Sequence, residues 1–183
     1  MEDMKRQLLA YHCPRWKELP DVELYVDQVV SYVERHLDPL DIAHEGKVIT
    51  ASMINNYVKM KLIPPPLKRK YRPGHLARLI VICALKRDFS IAELRDMMEL
   101  TLQRFDRHEA YNFFCDELER SLARVFRQKV TPAAPELAST QEYLTIQAVM
   151  TAFANRIYAQ CVIKAYMQKQ PLPTEDPPAK AEE

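Results

Sequence analysis

Glycine occurs only twice, at Gly46 and Gly74, and this scarcity constrains the fold more than any motif in the chain. Glycine reaches the positive-φ conformations that tight turns need. A many-stranded sandwich or an α/β nucleotide fold needs many such turns, so both are disfavoured. Glycine-rich phosphate loops are excluded outright. The dominant residues, among them Leu, Ala, Met, Glu, Lys, Arg and Gln, are good helix formers. The sequence therefore predicts an all-α chain. Its 183 residues, 48% hydrophobic, suffice for one core, or for a small head with a helical appendage.

Apolar spacing locates the helices. Val22, Val26, Val29, Val30 and Val33 recur at helical intervals in a segment 21–37, opened by Pro20 and Asp21 and followed by Pro39. Residues 38–48 read as a loop or short helical turn. Thr50 or Ser52 can cap a short helix to about Lys61, with Ile54 and Val58 inward and Met53 and Tyr57 as further inward candidates. Pro64–Pro66 end it and force an extended path. Residues 67–72 suit a small β-hairpin or an extended wing. Pro73 opens a helix 73–87 with the stripe Leu76, Leu79, Ile80, Cys83 and Ala84. Ser90 and Glu93 form a capping box for the next helix.

A helix 108–129 follows, with Tyr111, Phe114, Leu118, Leu122 and Val125 in one seam. A linker with Pro132 and Pro135 leads to a second capping box, Ser139 and Glu142, and a long helix to about Gln168. That helix is apolar nearly all round, so it must be central or be covered by a second copy. A homodimer through 108–129 and 139–168 is the expectation. The organisation expected is an N-terminal segment 1–20, a head 21–105, a helical hairpin 106–169 and a polar, proline-rich, disordered tail 170–183.

Charge is unevenly spread. Residues 46–87 hold no acid but ten bases: Lys47, Lys59, Lys61, Lys68, Arg69, Lys70, Arg72, Arg78, Lys86 and Arg87. The rest of the chain is left with 16 basic against 25 acidic residues. Such a segment suits a polyanion. Within it, Ser52, Asn55, Asn56, Tyr57, Lys59 and Lys61 could face a duplex from the short helix. Asn bonds adenine through two hydrogen bonds, and Ser, Lys and Tyr hold phosphates. Lys68, Arg69, Lys70, Tyr71 and Arg72 would form the wing. Four cations in five residues repel one another unless an anion is near.

The order of these features resembles the DNA-binding head of MerR-type regulators. There, a recognition helix ends in Leu-Ile-Pro-Pro, as at Leu62–Pro65. A basic wing leads to a tyrosine, as at Tyr71, and a helix carries Leu76 and Leu79. Phe89 and Ser90 then open the next helix. The string from Ser52 to Tyr71 is closer to the bacterial domain-of-unknown-function family 1836. The resemblance implies a MerR-like winged helix-turn-helix head, and with it a transcriptional regulator binding double-stranded DNA as a dimer. Asn55, Asn56 and Tyr57 stand where those heads carry Arg-Tyr-Tyr. Lys61 replaces the usual glycine after the helix, and Arg72 the usual cap. A helical adaptor whose basic face binds an acidic protein is the competing expectation. RNA binding ranks third, because Tyr57 and Tyr71 are the segment's only aromatics.

No catalytic constellation stands out, so no enzyme, cofactor or metal is expected. His12 and Cys13 are adjacent, and their side chains diverge. Asp38, Asp41, His44 and Glu45 read as a solvated loop. His75 and His108 read as surface residues in first helical turns, and Glu117 with Arg120 as a surface ion pair. Cys13, Cys83, Cys115 and Cys161 are scattered, without metal-ligand spacing. With no signal-peptide pattern and no membrane-spanning run, a cytoplasmic protein is expected.

Overall fold

The computed structural model describes residues 2–42, 46–127 and 140–169. The order is α1 (Glu2–Leu9), α2 (Val26–Leu37), α3 (Ala51–Lys59), α4 (Pro73–Leu85), α5 (Ile91–Leu102), α6 (Arg107–Arg127) and α7 (Gln141–Lys169). Short 3-10 turns lie at Trp16–Glu18 and Asp38–Leu40. Among the described residues only two isolated antiparallel bridges occur, Leu24 with Tyr71 and Leu67 with Lys70. The all-α expectation holds. The proline linker, the tail 170–183, His44 and Glu45 lie outside the described residues.

One helix organises the rest. α4 buries Leu76, Leu79, Ile80, Cys83 and Ala84, the expected stripe, and also His75, Ala77, Ile82 and Leu85. A helix apolar on so many sides needs cover on more than one. α2 and α6 both pack on it. The central helix is thus α4 and not α7. α7 packs on α6 and α5 through Tyr143, Ile146, Met150, Phe153, Ile157 and Cys161. Its other side stays open, with Leu144, Ala148, Ala152 and Tyr158 exposed.

The segment expected as helix from 21 is helical only from Val26. Backbone pairing wins over periodicity here. Leu24 N–H donates to the Tyr71 carbonyl at 2.9 Å, and Tyr71 N–H donates to the Leu24 carbonyl at 2.8 Å. Gln28 Oε1 then accepts from Tyr25 N–H at 2.9 Å, which opens the helix. Val22 is left exposed at 59%. The capping box of Ser90 and Glu93 forms as expected. At α7, Thr140 Oγ1 accepts from Tyr143 N–H at 3.3 Å, so the cap is one residue later than expected, and Ser139 lies outside the described residues.

Residues 2–20 pack into the fold, and α1 within them is a helix that the apolar spacing does not predict. Leu8, Tyr11, Cys13 and Leu19 belong to the same core cluster as α4, α6 and α7. Arg15 clamps the segment to α6: its guanidinium gives Glu119 two bonds, at 2.6 and 2.9 Å, and lies 2.8 Å from Asp116. Cys13 N–H adds a third bond to Glu119, at 2.9 Å. Burial alone would raise the Glu119 carboxyl, but these partners outweigh it and hold the group below its usual value. Glu117 corrects a sequence expectation: it pairs with Arg120, yet it is fully buried on the α6 seam and not on the surface.

Candidate nucleic-acid interface

α3 sorts its residues by face. Thr50 Oγ1 accepts from Met53 N–H at 3.1 Å and starts the helix. Ile54 and Tyr57 turn into the core. Ser52, Asn55, Asn56 and Lys59 lie exposed on the other side. The amphipathic split follows from the 3.6-residue period.

The end of α3 is built on Lys61. Its φ of 58° is the left-handed conformation that glycine adopts most readily. Lys61 N–H donates to the Val58 carbonyl and Leu62 N–H to the Tyr57 carbonyl, both at 3.0 Å. These two bonds are the Schellman pattern, and Leu62, 1% exposed, supplies its apolar contact. A position whose conformation favours glycine thus carries a cation. Arg78 then donates to the Leu62 carbonyl at 3.1 Å, and Arg95 to the Met60 carbonyl at 2.9 Å.

Beyond the prolines the chain reverses in four residues. Lys70 N–H donates to the Leu67 carbonyl at 2.9 Å. The central residues, Lys68 and Arg69, both have positive φ, 48° and 63°. Hairpin turns of this kind favour Asn-Gly, because side chains clash there. Among the described residues, Lys61, Lys68 and Arg69 are the non-glycine residues with positive φ, and all three are exposed cations.

The anion that the crowded cations require is Glu23. It accepts from Arg72 Nε at 3.0 Å and lies 3.7 Å from Lys70 Nζ. Arg72's hydrogen bond, then the nearby positive charges, hold the Glu23 carboxyl below its ordinary value. Lys70 also lies over the Tyr25 ring, 5.9 Å from its centre. Nothing in the sequence pattern marks Glu23, since the bridge at Leu24 brings it there from 49 residues away.

The acid-free block thus divides in two. Arg78 holds a backbone carbonyl, Lys86 holds the Val48 carbonyl, Arg87 pairs with Asp41 at 2.6 Å, and Lys70 and Arg72 share Glu23. Lys47, Lys59, Lys61, Lys68 and Arg69 are exposed and form no ion pair among the described residues.

Three candidates change role. Tyr57 and Tyr71 are core residues, 6% and 3% exposed, and their rings present no face to a ligand. Burial, with a smaller effect of Cys83, pushes the Tyr57 hydroxyl up to about 12. His75, expected on the surface, is buried. Its ring meets Tyr71 edge-on at 5.5 Å, and its Nδ1 accepts from Arg72 N–H at 3.0 Å. The imidazole, at the third position of α4, thus takes the part that Glu or Gln plays in a capping box. His108 is exposed as expected, but stacked on Trp16 at 4.2 Å.

These features define an all-α protein that presents a polar helix face beside a cationic turn. The chain belongs to the family described as Domain of unknown function (DUF1836), whose pattern matches residues 14–116. That span runs from the Arg15 clamp through the whole cationic surface into α6. No curated protein and no solved structure matches the chain.

Proposed function

We propose that this protein is a transcriptional regulator that binds duplex DNA as a dimer, through a MerR-like winged helix-turn-helix head. α3 enters the major groove with Asn55 and Asn56 toward the base edges and Ser52 and Lys59 toward phosphates. Lys61, Lys68 and Arg69 grip the flanking backbone. The observation that carries the reading is the turn tip: two exposed cations occupy adjacent positive-φ positions where Asn-Gly would fit with less strain. Strain kept at an exposed position points to use of the side chains. The dimer is supported by the open side of α7, where Leu144 is 44% and Tyr158 38% exposed.

Fluorescence anisotropy with genomic duplex fragments at rising salt tests this reading. Each phosphate contact adds about −0.9 to the log–log salt slope. The double variant Lys68→Gln/Arg69→Gln therefore flattens the slope by about 2 per protomer. Wild-type protein that shows no salt-sensitive binding to any duplex overturns the proposal. So does nuclease-treated lysate that yields an acidic protein partner while duplex binding stays absent.

A further inference from the structure

A cleft of about 480 Å³ lies where α4, α5 and α6 meet the N-terminal segment, apart from the exposed face of α3. Pockets of roughly 300–1,000 Å³ hold small organic ligands. Its walls are apolar, with Trp16, Val81, Met97, Met98, Phe114 and Ile146 among them. Its permanently charged groups have one sign. Arg72, Arg78, Arg107, His75 and His108 line it, and no Asp or Glu does.

Arg72 is answered by Glu23, but Arg78 and Arg107 are not answered by any carboxylate among the described residues. Arg78 is held below its ordinary value by burial first and then by the charge of Arg107. Two guanidiniums facing one half-buried apolar space repel each other until an anion joins them. The N-termini of α4 and α6 open on the same space, through Gly74 and His108, and add partial positive charge. His75, only 8% exposed, borders the same space. Its Nδ1 accepts a hydrogen bond, so the proton of the neutral ring sits on Nε2. That Nε2 is buried without a well-formed hydrogen bond, with the Pro65 carbonyl acting on the ring.

We infer that this cleft is a binding site for an apolar organic anion, an acyl or aromatic body carrying one carboxylate or sulfonate. The body fills the space against Trp16, Val81 and Phe114. The anionic group joins Arg78 and Arg107 at the cleft's charged side. Arg78 also holds the Leu62 carbonyl, directly after α3, so the occupant of the cleft bears on the segment that leads to the turn.

The full-length protein is titrated with 1-anilinonaphthalene-8-sulfonate, an aromatic anion whose fluorescence reports burial. Decanoate and decan-1-ol then compete for the same site. One probe per protomer is expected, with decanoate displacing it at least about tenfold better than the alcohol, the difference one charge-assisted contact makes. Arg107→Gln, on an exposed residue, should erase that preference and leave alcohol binding unchanged. Val81→Trp should block both ligands in a protein whose melting temperature is retained. Equal displacement by acid and alcohol overturns the inference, as does binding of many probes per protomer or an Arg107→Gln protein that keeps the preference. The readout does not involve DNA, so its failure is distinct from a failure of duplex binding.

Discussion

Lys68 and Arg69 sit in a backbone region that costs an L-residue about 1–2 kcal/mol each. Replacing the pair by Asn-Gly removes most of that cost. We predict that Lys68→Asn/Arg69→Gly raises the chemical denaturation midpoint, by a stability gain of about 1–2 kcal/mol, while the salt-dependent duplex affinity falls. A variant that loses both stability and affinity would mean that the two side chains support the turn itself. Lys61 shows how far such positions can be read from sequence. The residue stands in a glycine slot, and sequence alone records only a substitution. The structure gives Lys61 a φ that glycine favours, because the two backbone bonds that end α3 demand it. His75 departs from its reading for the opposite reason. Its polarity suggests exposure, but tertiary contacts bury it, and Arg72 N–H donates to its Nδ1.

At the scale of elements, the N-terminal segment depends on one ionic clamp. Arg15 and Glu119 are each about a quarter exposed, 25% and 27%, so solvent screens them only in part. Arg15→Met should cost about 2 kcal/mol at neutral pH, measured by urea unfolding, since charged hydrogen bonds are lost. The pH dependence has a definite sign. Glu119 titrates below its ordinary value of 4.5 in the folded chain. Its contribution is therefore complete above that value and is lost as pH falls through the lower, folded one. Wild type should lose stability over that acidic window, and Arg15→Met should lose less of it. Helix existence was legible from the 3.6-residue period and from caps such as Ser90 with Glu93, except for α1, whose eight residues hold too few apolar positions to mark it. Helix starts were less so. α2 begins late because the Leu24–Tyr71 bridge takes the backbone groups that a longer helix would have used.

At the scale of the whole molecule, the open side of α7 is the surface on which the dimer proposal depends. Leu144→Glu combined with Ala148→Glu should leave helical content unchanged and shift the sedimenting species to monomer, because buried like charges oppose association. Duplex affinity should drop with it, since two half-sites are no longer joined. Wild-type protein that sediments as a monomer at every concentration would dismiss the dimer. By itself, the sequence determined that the chain is helical, that a triple proline separates a short helix from a cationic turn, and that residues 46–87 carry no acid. These are properties of local propensity and of composition, which neighbours in the chain suffice to express. Only the tertiary structure decided which helix is central, that Glu23 pairs with two cations beside the turn, and that five of the ten bases are exposed without an ion pair among the described residues. Those outcomes depend on contacts between residues far apart in the chain, and no periodicity encodes which distant carboxylate a cation will meet.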